Sequence, residues 1–568
     1  MNGRIRFISV IIILLALIMS VRLYFVQVVY GKLFASDAER QNINENTILY
    51  NRGDIYFQSQ AGENVPAAIS RSGFTVAINP QIIKDSEEIY KNLSQVLVLD
   101  KTEFLSKAEK KDAKYEEIVK HLNIETADKI KTLNIYGVTV STDKWRFYPG
   151  NKLASHVIGF VAYNENELAG RYGLERYYED VLKRDPAKAY NNFFTDFFSN
   201  VKDSISSDPQ GEGDIITSIE PSTQLFLENE LQSVREKWSS DGAGGIIIDP
   251  TNGEITAMAW NPSFDLNNFK ESDVNFFDNP IVEGVYEMGS IIKPLTMVSG
   301  IDSGTISASS TYYDAGFLFL NNKRISNYDN KGRGTVNMQE VLNQSLNTGA
   351  AFVALKMGNE KFSSYIKSFG IGTETGIDLP NEGRGLIKNL DSAREIEMAT
   401  AAYGQGVAFT PIATVRALSV LANGGTLITP HIVKKIEYQN GLSKKIFFDP
   451  GKQVIKKETS EEITRMLVNV VDKALRNGTA KIPGYSVAAK TGTAQMTEEG
   501  KVGGYVEGKY LHSFFGYFPA YQPKFLVFLF HIYPKNVQYA SETLTDPFLN
   551  ITKFLINYYQ IPPDRPEN

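Results

Sequence analysis

The longest apolar stretch of the chain lies at its N-terminus. From Phe7 to Val21 every residue is apolar except two serines, and apolar and aromatic residues resume after Arg22 and continue to Tyr30. A bilayer span needs about 20 residues, so we expect the span to extend past Arg22, whose long side chain reaches toward the interface. The pattern predicts a transmembrane anchor over residues 7–30.

The flanking charges indicate how this anchor is oriented. Arg4 and Arg6 precede it, and basic residues favour the cytoplasmic side of a membrane. We therefore predict a cytoplasmic tail over residues 1–6, a single pass through the cytoplasmic membrane of a bacterium, and an extracytoplasmic remainder. A cleaved signal peptide is the alternative, but no small-x-small cleavage site follows the apolar core.

Residues 31–213 have a mixed and irregular pattern. The charged stretch from Lys101 to Lys120 is predicted to be an exposed helix. The aromatic cluster Tyr190–Ser199 favours helix packing, and the alternative is a surface that meets the bilayer or a partner. Residues 186–213 follow no pattern that identifies an element.

From residue 214 the periodicity becomes clearer. Pro221 is expected to open a helix whose stripe contains Leu227, Leu231, Val234 and Trp238. Residues 245–259 read as a hairpin, and three more strands are expected at residues 485–495, 512–519 and 525–533. Helical sequence separates the hairpin from those strands, so the pattern predicts an α+β fold with an antiparallel sheet flanked by helices.

Composition excludes several kinds of chemistry. The chain has 59 Lys and Arg against 65 Asp and Glu, a net charge of −6, which argues against a nucleic-acid partner. It has no cysteine, which excludes disulfides, thiol nucleophiles and thiolate-bound metals. Its five histidines are scattered, so we expect no metal site.

The first candidate motif is Gly289-Ser290-Ile291-Ile292-Lys293. A serine and a lysine three residues apart share one face of a helix, and the lysine accepts the serine proton if its pKa is lowered. Taken alone the spacing is weak evidence, because at least three other pairs have it: Ser141/Lys144, Ser199/Lys202 and Ser364/Lys367. The apolar flank of Ser290 distinguishes it, because that flank indicates a buried helix start.

The second candidate motif is Ser345-Leu346-Asn347. A capping box at Asn337 and Glu340 predicts a helix that ends near Asn343, with the next helix underway by Ala350. The triplet is then expected in a helix–helix turn, where both polar side chains point into a cleft. Ser and Asn are also ordinary turn residues.

The third candidate motif is Lys490-Thr491-Gly492-Thr493, within a predicted strand. A lysine and two hydroxyl groups there are suited to binding a carboxylate, and Gly492 permits a close approach to the backbone. The alternative is an exposed edge strand with ordinary polar residues.

The three motifs together, separated by 55 and 145 residues, resemble those of the penicilloyl-serine transferases. Three more segments resemble class B penicillin-binding proteins: Arg52-Gly53-Asp54-Ile55-Tyr56, Gly173-Leu174-Glu175 and Ala402-Tyr403-Gly404-Gln405-Gly406. The similarity covers about residues 20–560. The departures are Met288, Ile291 and Ile292, where such families commonly have Pro, Thr and Phe.

This resemblance implies a domain order and a reaction. It implies an elongated pedestal (dimerisation-like) domain over residues 31–213 and a transpeptidase domain over residues 214–568. The expected enzyme is a peptidoglycan D,D-transpeptidase, which cross-links stem peptides through a serine acyl-enzyme and is acylated by β-lactams. No metal or organic cofactor is implied. A membrane-embedded glycan polymerase is a hypothetical partner.

The resemblance also implies residue roles. Ser290 would be the nucleophile and Lys293 its general base. Ser345 and Lys490 would carry a proton to the leaving nitrogen, and Asn347 would orient Lys293 and hold the substrate amide. The substrate-binding residues would be Thr491, Gly492 and Thr493, with the backbone N–H groups of Ser290 and Thr493 as the oxyanion hole.

Two other functions compete with this one. The first is a β-lactamase or D-Ala-D-Ala carboxypeptidase, in which water takes the acyl group. The second is a penicillin sensor or a non-catalytic scaffold of wall synthesis, although all three motifs are intact here. Within class B, an elongation or a division role stays open, as do the acceptor amine and the oligomeric state.

Overall fold

The computed structural model of the chain describes residues 52–164, 167–184, 211–438, 441–446, 448, 451–497 and 504–566. The predicted tail and anchor, residues 1–6 and 7–30, lie outside the described residues. So do the aromatic cluster Tyr190–Ser199 and most of residues 186–213. Among the residues that are described, no helix has the length and apolar character needed to cross a membrane.

The described strands divide between two large sheets and several two-stranded ones. In chain order they are β1 (Ile55–Gln58), β2 (Asn64–Ile78), β3 (Glu116–Leu122), β4 (Val138–Phe147), β5 (Val161–Asn164), β6 (Glu167–Gly170), β7 (Gly213–Thr217), β8 (Gly242–Ile248), β9 (Ile255–Asn261), β10 (Thr311–Asp314), β11 (Phe317–Leu320), β12 (Lys323–Ser326), β13 (Gly334–Asn337), β14 (Thr426–Leu427), β15 (Val433–Tyr438), β16 (Ser443–Lys445), β17 (Lys452–Gln453), β18 (Ala488–Thr497), β19 (Tyr505–Phe518) and β20 (Phe525–Ile532).

Of the described α-helices, seven precede β8, seven lie between β9 and β18, and two follow β20. In chain order they are α1 (Ser86–Leu93), α2 (Lys101–Ala108), α3 (Ile124–Thr132), α4 (Ser155–Ile158), α5 (Gly173–Tyr177), α6 (Glu179–Leu182), α7 (Pro221–Trp238), α8 (Lys293–Asp302), α9 (Met338–Asn343), α10 (Asn347–Met357), α11 (Asn359–Ser368), α12 (Glu395–Ala401), α13 (Pro411–Ala422), α14 (Lys457–Asn469), α15 (Ala540–Thr543) and α16 (Thr545–Tyr558).

The first large sheet is antiparallel, with the order β18-β19-β20-β8-β9. It confirms the predicted hairpin and the three predicted C-terminal strands. Alternate residues of β19 pack on opposite faces, with Phe515 and Tyr517 in one core cluster and Phe514 and Phe518 in another. The sheet is therefore covered on both faces, which gives the α+β fold expected from the sequence.

Helix α7 confirms the amphipathic helix predicted at Pro221. Pro221 occupies the first turn, and the carboxylate of Glu220 accepts from Thr223 N–H at 2.7 Å. The buried stripe of Leu227, Leu231 and Val234 packs on β8 and β9 beside α16. Helices α8, α13 and α14 belong to the helical region between β9 and β18, and they lie on the other side of the sheet.

The second large sheet joins the N-terminal region to the rest of the molecule. Its order is β16-β15-β7-β1-β2-β3, and β4 also pairs with β2. Strand β7 pairs in parallel with β1 and antiparallel with β15, so one sheet contains strands from both predicted domains. The boundary predicted at residues 213/214 coincides with the start of β7 and stays a prediction.

Two of the segments that carried the class B resemblance meet in this region. Glu175 is fully buried and forms ion pairs with Arg52 at 2.7 Å and with Arg146 at 2.6 Å. Burial alone raises the pKa of Glu175, but the two guanidinium groups outweigh it and hold the pKa below its ordinary value. The pair of motifs therefore forms a buried ionic cluster.

The helix predicted over Lys101–Lys120 is correct only in its first half. Helix α2 ends at Ala108, and residues from Glu116 onward form β3, which pairs with β2. Ile118, Val119 and Leu122 pack against the core cluster of this region. The charged residues of this segment favour a helix by local propensity, but pairing with β2 outweighs that preference and makes the segment a half-buried strand.

Candidate active site

Ser290 lies in a short 3-10 turn, Gly289–Ile292, that leads directly into α8. The turn is pressed against β18, because a Cβ on Gly289 (φ +64°) would lie 2.7 Å from the carbonyl oxygen of Thr493. Gly289 N–H also donates to the carbonyl of Gly404 at 3.1 Å. The Gly-Gln-Gly segment noted in the sequence therefore supports the serine turn.

Lys293 is the first residue of α8, and its side chain is fully buried. Its Nζ lies 2.9 Å from Ser290 Oγ, 2.5 Å from the carbonyl oxygen of Ser345 and 3.1 Å from Ser345 Oγ. Burial, and then the charge of Lys490, lower the pKa of Lys293 well below its ordinary value. A neutral amine accounts for all three contacts, because it accepts from the Ser290 hydroxyl and donates twice to Ser345.

Ser345 occupies the turn between α9 and α10, as the sequence predicted. Its φ of +53° is in the left-handed region, which is unusual for a residue with a side chain. Its Oγ accepts from Lys490 Nζ at 3.0 Å. The turn therefore holds one hydroxyl group between two lysines.

Lys490 lies on β18 and is almost fully buried. Its Nζ also donates to the carbonyl of Thr491 at 3.0 Å. Burial lowers the pKa of Lys490 to about 8. At neutral pH this lysine is mostly an ammonium group, whereas Lys293 is the better candidate for the neutral form.

Asn347 opens α10, and its amide donates to the carbonyl of Ser326 at 2.9 Å. The contact expected between Asn347 and Lys293 is not among the hydrogen bonds of the described residues, where Lys293 is held by Ser290 and Ser345. The Asn347 amide is instead hydrogen-bonded to Ser326, at the end of β12. The inserted hairpin β11–β12 therefore supports the second motif.

Sequence reasoning missed the group that holds this hairpin in place. The buried carboxylate of Asp314 accepts from Asn327 Nδ2 at 2.9 Å and from Thr348 Oγ1 at 2.8 Å. Thr348 follows Asn347 directly, so Asp314 fixes the start of α10. The sequence around Asp314 carries no signal of this role, because its partners are 13 and 34 residues away.

Gly492 has a structural role in addition to the one expected from the sequence. A Cβ there would lie 2.4 Å from Ser513 Oγ and 2.7 Å from the carbonyl oxygen of Met288. The close approach that the structure shows is therefore that of the serine turn, and the approach of a ligand at Gly492 stays a prediction. Ser513 Oγ donates to the Met288 carbonyl at 2.8 Å and ties β19 to the same turn.

One cavity of about 670 Å³ contains most of the predicted site residues. Ser290, Ser345, Asn347, Lys490, Thr491 and Thr493 line it. Lys293 lies buried behind Ser290, and Gly492 lies buried in β18. The three motifs therefore meet around one hydroxyl group, although they are far apart in the sequence.

Two of the competing Ser–Lys pairs are described, and neither resembles this site. Ser364 and Lys367 are exposed on α11, and Lys367 forms an ion pair with Asp391. Ser141 and Lys144 lie on β4, and Ser199/Lys202 lies outside the described residues. Within the described ranges no group of three or more histidine and acidic residues has the geometry to hold a metal ion.

Comparison with known proteins finds two matching families and several relatives. Residues 243–552 match the penicillin-binding protein transpeptidase domain family, and residues 47–216 match the penicillin-binding protein dimerisation domain family. Stage V sporulation protein D of Bacillus subtilis is 32% identical over 96% of this chain and 84% of its own length. Peptidoglycan D,D-transpeptidase FtsI of Buchnera aphidicola is 28% identical over 99% of this chain and 96% of its own length.

The fold is also similar to a solved structure. Penicillin-binding protein 2X from Streptococcus thermophilus has a TM-score of 0.72, with 19% identity over 90% of this chain and 80% of that one. The fold and the site define a transpeptidase of the serine type. The chain belongs to the class B penicillin-binding proteins.

Proposed function

We propose that this chain cross-links peptidoglycan stem peptides through an acyl-enzyme on Ser290. The observation that carries the proposal is the buried amine of Lys293, 2.9 Å from Ser290 Oγ and in contact with Ser345. A neutral amine there takes the Ser290 proton as Oγ attacks the carbonyl carbon of the penultimate D-Ala. In this mechanism the backbone N–H groups of Ser290 and Thr493 form the oxyanion hole.

The leaving group needs a proton, which reaches it through Ser345. Lys293 donates to Ser345 Oγ, and the Ser345 hydroxyl protonates the nitrogen of the terminal D-Ala as the C–N bond breaks. The ammonium group of Lys490 stabilises this transfer from the other side of Ser345. An amine of a neighbouring stem peptide then attacks the ester, and Ser290 Oγ leaves with a proton returned through the same groups.

Substrate recognition is proposed for the exposed edge of the cavity. The hydroxyl groups of Thr491 and Thr493 bind the terminal carboxylate, and Gly492 keeps this part of β18 against the serine turn. Asn347 holds the substrate amide while Ser326 fixes its side chain. A β-lactam carries both an acylating carbonyl and a carboxylate, so it enters the same site and acylates Ser290.

The proposed membrane arrangement follows the sequence prediction. Residues 7–30 anchor the chain in the cytoplasmic membrane after a tail of residues 1–6, residues 31–213 form the pedestal, and residues 214–568 form the transpeptidase domain. The two family matches, at residues 47–216 and 243–552, support this order. A membrane-embedded glycan polymerase remains the hypothetical partner, and co-purification from membranes tests it.

Intact-mass measurement with benzylpenicillin tests the proposed chemistry. We expect a stable adduct of one penicilloyl group per chain, and peptide mapping should place it on Ser290. Rapid loss of the adduct with turnover of the drug would instead favour a β-lactamase. Absence of any adduct would favour the non-catalytic scaffold.

A further inference from the structure

A buried network of polar side chains lies beneath the active-site cavity. Ser240 Oγ is 2.7 Å from His531 Nδ1, and His531 Nε2 is 2.9 Å from Thr543 Oγ1. Thr543 Oγ1 is 3.0 Å from His512 Nδ1, and His512 Nε2 is 3.0 Å from the carbonyl oxygen of Gln538. We call Ser240, His531, Thr543 and His512 the histidine network.

The environment keeps both imidazoles neutral. His512 and His531 have no exposed surface, and Thr543 is 2% exposed. Burial lowers the pKa of His512 to about 4, and burial together with the neighbouring His512 lowers that of His531 well below its ordinary value. Each ring therefore has one nitrogen that donates and one that accepts.

The Gln538 carbonyl then determines every proton position in the network. A carbonyl oxygen only accepts, so His512 Nε2 carries the proton and His512 Nδ1 accepts from the Thr543 hydroxyl. Thr543 Oγ1 in turn accepts from His531 Nε2–H, and His531 Nδ1 accepts from the Ser240 hydroxyl. Thr543 Oγ1 also lies 3.3 Å from the carbonyl oxygen of Ala540. If the Thr543 hydroxyl donated there, His512 Nδ1 and Thr543 Oγ1 would face each other as two acceptors with no proton between them.

The network ends on a segment that faces the active site. Residues 538–541 line the same cavity as Ser290, and Ala540 N–H donates to Thr493 Oγ1 at 3.1 Å. Thr493 is also the residue opposite His512 in the pairing of β18 with β19. Since the Thr493 oxygen already accepts a hydrogen bond from Ala540, its own O–H proton is left to donate into the cavity.

We propose that the histidine network is a positioning device for carboxylate recognition. It holds residues 538–541 against β18, and the Ala540 N–H thereby sets the Thr493 hydroxyl as a donor to the terminal carboxylate of the substrate. The inference rests on the proposed function, because it assumes that Thr493 binds that carboxylate. The four residues of the network act through Ala540 and Thr493 and do not touch the substrate themselves.

Replacement of Thr543 tests this role with little change in shape. Thr543→Val is nearly isosteric and removes both hydrogen bonds to the histidines, whereas Thr543→Ser keeps the hydroxyl group. Thr552→Val is the matched control, because Thr552 is also fully buried but donates only within α16, to the carbonyl of Phe548 at 2.8 Å. Ser240→Ala removes only the far end of the network and serves if Thr543→Val does not fold.

The measurement is the acylation rate constant of the full-length chain with benzylpenicillin and with its methyl ester, which lacks the carboxylate charge. We expect Thr543→Val to slow benzylpenicillin by about tenfold, the effect of one lost hydrogen bond to a charged group, and to change the ester by less than about twofold. Ser240→Ala should show the same selectivity with a smaller loss. Thr543→Ser and Thr552→Val should match the unmodified chain with both compounds.

Two results would overturn the inference. The first is a benzylpenicillin rate that stays unchanged in Thr543→Val or Ser240→Ala. The second is an equal slowing of both compounds, which indicates a general structural role. Failure of the unmodified chain to be acylated at Ser290 is a separate outcome. It would overturn the proposed function, and the inference that rests on that function would be overturned too.

Discussion

Lys293 and Lys490 contact the same hydroxyl group, with their Nζ atoms 3.1 Å and 3.0 Å from Ser345 Oγ. Two ammonium groups this close in a buried site oppose each other's charge, so one of them gives up its proton more readily. Lys293 has no exposed surface and is the one whose pKa is lowered further. In the proposed mechanism the pair therefore supplies a base next to Ser290 and a cation on the other side of Ser345.

We predict a bell-shaped pH dependence of acylation by benzylpenicillin. The rate should rise with pH as Lys293 loses its proton, and should fall above about pH 8 as Lys490 loses its own. Lys490→Arg should remove the alkaline limb, because a guanidinium group stays charged throughout this range. Stopped-flow acylation rates between pH 5 and pH 10, at constant ionic strength, measure both limbs, and an alkaline limb that persists in Lys490→Arg would contradict the assignment.

Ser290→Ala should abolish labelling by a fluorescent penicillin. The substitution removes the proposed nucleophile and one hydrogen bond, so we expect the free energy of unfolding to change by about 1 kcal/mol or less. Gel fluorescence after labelling and a thermal melt check the two parts. Ser364→Ala is the control, because Ser364 has the same spacing to a lysine but lies exposed on α11, and it should label normally.

Replacement of Ser345 should separate its hydroxyl from its backbone conformation. Ser345→Gly and Ser345→Ala both remove the group between the two lysines, so acylation should slow by about 100-fold or more in each. Glycine accepts a φ of +53° without strain, so Ser345→Gly should be more stable than Ser345→Ala by about 1 kcal/mol. Chemical denaturation compares the two, and equal stabilities would argue against strain at this turn.

His156 should make the chain less stable in acid. Its ring is buried, its Nε2 is 2.9 Å from the carbonyl of Phe276, and burial lowers its pKa to about 4. The unfolded chain binds a proton near pH 6.5 and the folded chain does not. The free energy of unfolding should therefore fall as the pH drops from about 6.5 to about 4. Protonation of His156 should account for about 3 kcal/mol of that loss.

Denaturation of the full-length chain at several pH values measures this contribution. His156→Gln keeps an N–H donor for Phe276 and removes the titration, so its stability should depend less on pH than that of the unmodified chain. The same pH dependence in both proteins would show that His156 does not titrate as expected.

Local sequence was sufficient for the elements that frame the site. The apolar stripe of α7, the hairpin β8–β9 and the strands around Lys490 and His512 were each predicted from their own periodicity. The error at Lys101–Lys120 has the same origin, because a charged segment shows its strand character only when β2 lies beside it. Periodicity reports which side of an element is buried, but not which element buries it.

The sequence by itself determined the hairpin β8–β9, the strands β18, β19 and β20, the helix at Pro221, and the identity and order of the three motifs, because these depend on residues that are neighbours in the chain. Only the tertiary structure decided that Gly492 makes room for the serine turn, that Asn347 is tied to Ser326, and that Ser240 reaches His531. These contacts join residues from 21 to 291 positions apart. Their partners are selected by packing of the whole fold, which no local pattern of residues records.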